Sequence, residues 1–109
     1  MKRILFIGAG NMANAIIGGL LRSGAVDCPH LILSDKFPEK CVPYAEGGAI
    51  LAASPAEAAA AADCVVLAVK PQNFPEVLDE LSRVEGIENK LIVTIAAGIT
   101  VETVKTALR

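Results

Sequence analysis

The stretch ILFIGAGNMANA, residues 4–15, decides the reading of this chain. Four apolar residues, Ile4–Ile7, run straight into Gly8-Ala9-Gly10, and a helix-forming segment follows. The spacing is Gly-x-Gly-x-x-Ala, with Gly8, Gly10 and Ala13 in the small-residue positions. Each position has a physical task. Gly8 permits a tight turn from strand to helix. Gly10 has no Cβ, so a pyrophosphate can approach the backbone. Ala13 lets the helix pack closely on the strand. The free N–H groups at the start of that helix, around Asn11 and Met12, then face the anion. Read in this context, the stretch predicts a dinucleotide site rather than a purely structural glycine turn.

Working outward, residues 1–7 predict a first strand whose unbroken apolar character suits burial on both faces of a parallel sheet. Residues 11–23 predict a helix with Ile16, Ile17, Leu20 and Leu21 on its apolar face and Arg22 near its C-terminus. Gly18-Gly19 in mid-helix cost stability, so close packing is expected there. Gly24 ends the helix. Residues 31–34 form a second strand. Asp35 follows it, twenty-two positions after Ala13, where an acidic residue ordinarily meets the adenosine ribose. Lys36 comes next. A carboxylate accepting from a free 2′-hydroxyl favours NAD, whereas a lysine beside a 2′-phosphate favours NADP. The bland alternative for the pair is a solvated turn.

Residues 38–46 predict a short or kinked helix, because Pro43 lies within it, with Tyr44 packing inward and Gly47-Gly48 ending it. A short third strand is expected over 49–52. Ser54-Pro55-Ala56-Glu57 forms a capping box with proline at the first helical position, opening an alanine-rich helix to residue 62. Residues 64–69 predict a fourth buried strand, left by Lys70-Pro71-Gln72. A helix over about 74–84 follows, with Phe74, Val77, Leu78 and Leu81 as its apolar face. Residues 91–95 predict a fifth strand, and Thr100 an N-cap for a last helix carrying Val101, Val104 and Leu108. This alternation predicts one α/β domain, a doubly wound Rossmann-type parallel sheet of order 3-2-1-4-5.

Bulk composition narrows the function. At 109 residues and 53% hydrophobic content the chain supports one domain with a real core. Aromatics are 4% and the net charge is −2 with no basic cluster, which argues against nucleic acid and anionic membranes as partners. No apolar run approaches a membrane span. Lys2-Arg3 precede only a short apolar run without a cleavage site, so no signal peptide is expected. Cys28, Cys41 and Cys64 are widely spaced, and His30 is the only histidine. Three reduced thiols, a cytoplasmic location and no metal site are the expectation.

Three motifs together resemble one family. GAGNMA at residues 8–13, AVKP at 68–71 and AAG at 96–98, in order and suitably spaced, are similar to pyrroline-5-carboxylate reductase. The resemblance covers the whole chain, and AVKP followed by AAG is more specific than the glycine motif alone. It implies reduction of the cyclic imine pyrroline-5-carboxylate to L-proline, in proline biosynthesis, by hydride from NADPH or NADH. By similarity, Ile7, Gly8, Ala9, Gly10, Asn11 and Met12 hold the pyrophosphate. Ser34, Asp35 and Lys36 match the region that reads the 2′ position. Ala68, Val69, Lys70 and Pro71 line the nicotinamide-side ribose, mainly through backbone. Ala96, Ala97 and Gly98 lie beside the nicotinamide. Tight sheet-edge packing is the plainer reading of the last two stretches. Lys70 reads as a structural and cofactor-placing residue before a catalytic cation.

Two departures stand out. Many family members carry a cofactor-touching asparagine where this chain has Pro55, and Ser54, the nearest substitute, is occupied as a helix cap. Asp35 would repel a 2′-phosphate. Family members are also more than twice as long, with a helical C-terminal domain that forms the oligomer and most of the imine pocket. The resemblance therefore implies an N-terminal cofactor domain with no catalytic residue of its own, inactive alone. It would be monomeric or weakly dimeric, within a homo-oligomeric enzyme. The alternatives are another oxidoreductase of the superfamily, such as an F420-dependent NADP reductase or a prephenate dehydrogenase, a non-catalytic nucleotide sensor, or a degenerate scaffold. Intact Gly8, Gly10 and Ala13 argue against the scaffold.

Overall fold

The computed structural model describes residues 2–8, 10–35, 38–52 and 54–94, with backbone only at 11, 12, 38, 40, 71 and 88. Its strands are β1 (Ile4–Ile7), β2 (Leu31–Ser34), β3 (Ile50–Leu51), β4 (Cys64–Leu67) and β5 (Leu91–Thr94). Its helices are α1 (Asn11–Ser23), α2 (Val42–Glu46), α3 (Pro55–Ala61) and α4 (Phe74–Ser82). The strands form one parallel sheet in the expected order, β3-β2-β1-β4-β5. In register, Ile4 of β1 lies between Leu31 of β2 and Cys64 of β4.

Side chains alternate between the two faces of this sheet, so its central strands supply two cores. Leu5, Ile7, Ile32, Val65 and Leu67 pack with α3 and α4 through Ala58, Ala59, Phe74, Val77, Leu78 and Leu81. On the other face Phe6, Leu31, Leu33 and Val66 pack with Ala13 and Ile17 of α1 and with Cys41. Phe6, Leu5, Ile17, Phe74 and Leu81 are fully enclosed. Burial on this scale contributes about 1.5 to 3 kcal/mol per large apolar side chain. The outer strands are less covered: Ile50 and Leu51 of β3, and Leu91 and Val93 of β5, are exposed.

Several helix boundaries follow from the capping chemistry. Gly24 closes α1 in the left-handed region at φ 78°, its N–H reaching the Leu20 and Leu21 carbonyls. Ser54 Oγ accepts from the Glu57 N–H at 3.2 Å, opening α3 as the capping box predicts. Pro43 falls in the first turn of α2, where its missing donor costs nothing, because a separate 3₁₀ turn over Pro38–Cys41 precedes it. At the other end of α3, Lys90 Nζ donates to the Ala62 carbonyl at 2.5 Å. A cation there satisfies an orphan acceptor and complements the helix dipole. Replacing it, Lys90→Ala, is expected to lower folding stability by about 1 kcal/mol, read as a lower urea midpoint with an unchanged slope.

Some expectations are corrected. Strand β1 begins at Ile4 rather than residue 1, and β3 spans Ile50–Leu51 rather than 49–52. Strand β4 ends at Leu67, not residue 69, and α4 at Ser82, not 84. The close packing expected at Gly18-Gly19 is absent. A Cβ on Gly19 would meet nothing within 4 Å, and one on Gly18 only the Arg22 guanidinium, its Nη1 at 3.0 Å. The two glycines lie off the stripe that Ala13 and Ile17 turn to the sheet. The continuation of strand five to residue 95 and the last helix lie outside the described residues.

Candidate dinucleotide site

In a parallel sheet every strand ends at the same edge. Here that edge gathers the ends of β1, β2 and β4, and the winding direction reverses between β1 and β4. From β1 the chain crosses to β2 over the face that carries α1. Helices α3 and α4 lie on the other face. A crevice at the carboxyl end of such a reversal is where open α/β sheets take ligands.

Gly8 is the pivot of the crevice. It is buried and sits at φ +102°, a conformation that side-chain-bearing residues rarely adopt. A Cβ there would lie 2.7 Å from the Ala68 carbonyl oxygen, 2.8 Å from the Ala68 carbonyl carbon and 3.1 Å from the Val69 nitrogen. The backbone leaving β4 thus rests directly on Gly8. Toward β2 the Gly8 N–H donates to the Ser34 carbonyl at 2.7 Å, and toward β4 the Ala68 N–H donates to the Ile7 carbonyl at 2.9 Å. One glycine therefore knits the exits of all three central strands.

Gly10 is different. It is the N-cap of α1 at φ −76°, and a Cβ would meet nothing within 4 Å. No side chain caps the helix there, and its first turn holds no acidic residue. The first amides of α1 have no carbonyl behind them within the helix, so they turn their partial positive charge outward. Ala13 is 1% exposed and packs in the core on the α1 face of the sheet, where a larger side chain would lift the helix.

The other predicted site residues divide. Ser34 ends β2, buried, and Asp35 follows it half-buried. Ala68 and Val69 are half-buried beside Gly8, whereas the Lys70 side chain is exposed and its carbonyl accepts from Asn73 at 2.8 Å. Pro71 begins a 3₁₀ turn over Pro71–Asn73 that leads into α4. The structure thus brings Ile7, Gly8, Gly10, Ser34, Asp35, Ala68 and Val69 to one edge, with the backbone of Asn11 and Met12 in the first turn of α1 and Ala13 packed in the core beneath it. Ala9, Lys36, Ala96, Ala97 and Gly98 lie outside the described residues.

A second group adjoins the site. Cys41 is 2% exposed, and its thiol is pushed up by burial, then by the Asp35 and Glu39 carboxylates. Tyr44 of α2 packs inward, as expected, and its hydroxyl donates to Asn14 Oδ1 on α1. Burial, and after it Cys41, pushes the Tyr44 phenol up. Sequence spacing points to the inward ring of Tyr44 but not to its partner thirty residues away. Among the described residues no group of three or more metal-ligating side chains gathers. No described helix is long and apolar enough to cross a membrane.

Sheet order, switch point and glycine turn together define a Rossmann-type domain. The chain belongs to the family described as NADP oxidoreductase, coenzyme F420-dependent, whose model matches residues 3–98. Among curated relatives, a pyrroline-5-carboxylate reductase from Pseudomonas aeruginosa is 48% identical over 98 residues, which is 89% of this chain and 35% of that protein. The solved structure of a pyrroline-5-carboxylate reductase from Coxiella burnetii superposes with a TM-score of 0.89 at 30% identity, covering 98% of this chain and 40% of that one. An imine reductase from Myxococcus stipitatus in complex with NADP+ gives a TM-score of 0.72 at 28% identity, over 88% of this chain and 32% of its own. The chain spans little more than a third of the length of the curated relatives it matches.

Proposed function

We propose that these residues form the cofactor-holding part of a pyrroline-5-carboxylate reductase, which reduces the cyclic imine to L-proline with NADPH or NADH. The observation that carries the reading is the contrast between two neighbouring glycines. Gly8 is filled against the backbone of Ala68, while Gly10 opens the uncapped start of α1. A diphosphate fits that opening, because it accepts hydrogen bonds from the bare amides and suits the positive end of the helix. Ser34 and Asp35 stand where the adenosine ribose would lie, and Ala68 and Val69 line the approach to the nicotinamide half. Bound there, the cofactor would supply a hydride; the chain's own part is to hold and orient it and to keep its two halves on either side of Gly8. The similarity to pyrroline-5-carboxylate reductases supports the substrate, and imine reduction is proposed of the reductase as a whole.

The family description supports a second reading, in which the hydride partner of NADP is coenzyme F420. Pyrroline-5-carboxylate reduction and F420 reduction, assayed side by side on the whole protein, separate the two. For the cofactor itself, calorimetric titration of this chain with NADPH and with NADH at two salt concentrations is the direct test. Tighter, salt-sensitive NADPH binding is expected if Lys36 reads a 2′-phosphate. Tighter NADH binding would assign the ribose hydroxyls to Asp35, and binding of neither would sink the proposal.

A further inference from the structure

We propose that the hydrogen bond from Tyr44 to Asn14 is a positioning couple for the adenosine end of the dinucleotide. The inference rests on the cofactor reading above and adds two residues to it. Helix α2 has five residues, too few to stand without tertiary support, and it buries none of them fully. Its hold on the domain comes from the inward ring of Tyr44 and from Cys41 just before it. A phenylalanine would supply that packing equally well. The hydroxyl adds one thing, a tie to the first turns of α1.

That tie joins the two halves of the adenosine side. Asn14 donates its own N–H to the Gly10 carbonyl at 2.9 Å, closing the turn whose leading amides face the proposed diphosphate. At the other end, the Tyr44 carbonyl accepts from Gly47 and Ala49, both at 3.0 Å, fixing the exit of α2 toward β3. Cys41, at the start of the same segment, lies close enough to feel the charge of Asp35. This bond therefore braces α2 against the anion-facing turn of α1, in addition to the Gly8–Ser34 backbone bond that holds β1 against β2. The nicotinamide side, bounded by Ala68 and Val69, has no share in it. Tyr44 and Asn14 are positioning residues, acting through α1 and α2 rather than by touching the reacting atoms.

The test compares this chain with Tyr44→Phe and Asn14→Ala, titrated with NADPH, with 2′,5′-ADP and with nicotinamide mononucleotide by chemical-shift changes. Urea unfolding is run on each. The expected result is that Tyr44→Phe binds NADPH and 2′,5′-ADP about tenfold more weakly, because the free chain must then be ordered into a spacing that the bond holds in advance. Binding of nicotinamide mononucleotide should not change, and Asn14→Ala should give the same pattern with no further loss in the double variant. Equal losses for both half-ligands, with a lower urea midpoint, would reduce the couple to a structural prop and overturn the proposal. Unchanged binding in Tyr44→Phe would also overturn it while leaving the cofactor reading intact. Failure of the unaltered chain to bind NADPH would overturn both.

Discussion

The Gly8→Ala chain is expected to lose about 2 to 6 kcal/mol of folding stability, the sum of a strained backbone and an overpacked contact. Both terms come from one position. At φ +102° any side chain is strained, and the new Cβ would lie 2.7 Å from the Ala68 carbonyl oxygen. Its neighbour is backbone, so no side chain can swing aside. Relief requires β1 and β4 to part, which breaks the bond from the Ala68 N–H to Ile7. A domain of this size holds only about 5 to 15 kcal/mol in total. The variant should therefore unfold at a much lower urea concentration, or show no cooperative transition by circular dichroism. An unfolding free energy within about 0.5 kcal/mol of the unaltered chain's would mean that the close approach of Ala68 is not a feature of the folded state.

Two residues further on, the same substitution should do the opposite. Gly10→Ala places its Cβ in open space at φ −76°, a conformation that alanine adopts freely. Alanine is a poorer N-cap than glycine, while a stiffer unfolded chain offsets that loss, so stability should stay within about 0.5 kcal/mol. The methyl group would nonetheless stand where a diphosphate must approach α1. NADPH affinity should fall at least about tenfold, or roughly 1.4 kcal/mol. Calorimetry and urea unfolding on the same preparation check both halves. Retained affinity would move the anion away from Gly10 and with it the proposed site.

How far each feature could be read from the chain depends on how local its cause is. The glycine turn, the bounds of α1 and the apolar face of α4 follow from spacing within a few residues, and the structure matches them. The order of the strands follows from their alternation with helices. Strand ends are less legible, because pairing ends a strand and composition does not. Residues 1–3 read as strand, yet the ladder begins at Ile4, opposite Leu31 and Cys64. Val69 reads as strand too, but the chain leaves the ladder after Leu67. Gly18 and Gly19 mislead because a glycine that admits a neighbour and one that merely weakens a helix look alike in sequence. At the glycine turn, the need for a glycine at position 8 and the open backbone at Gly10 are both legible from the spacing. That Gly8 is seated on Ala68, and that Tyr44 reaches Asn14, are contacts across sixty and thirty positions that no spacing rule carries.

The central place of β1 also governs how the chain comes together in time. Its partner on one side is close in sequence, but Cys64, opposite Ile4 on the other, comes 60 residues later. On a ribosome adding about 5 to 20 residues per second, β1 waits roughly 3 to 12 seconds between its own synthesis and that of β4. Over that interval one flank of this wholly apolar strand is unpaired, an opening for misassembly. The arrival of Ala68 ends the wait and seats Gly8 in the same event. The nascent chain thus acquires the backbone contact around Gly8 when β4 joins β1, and no earlier.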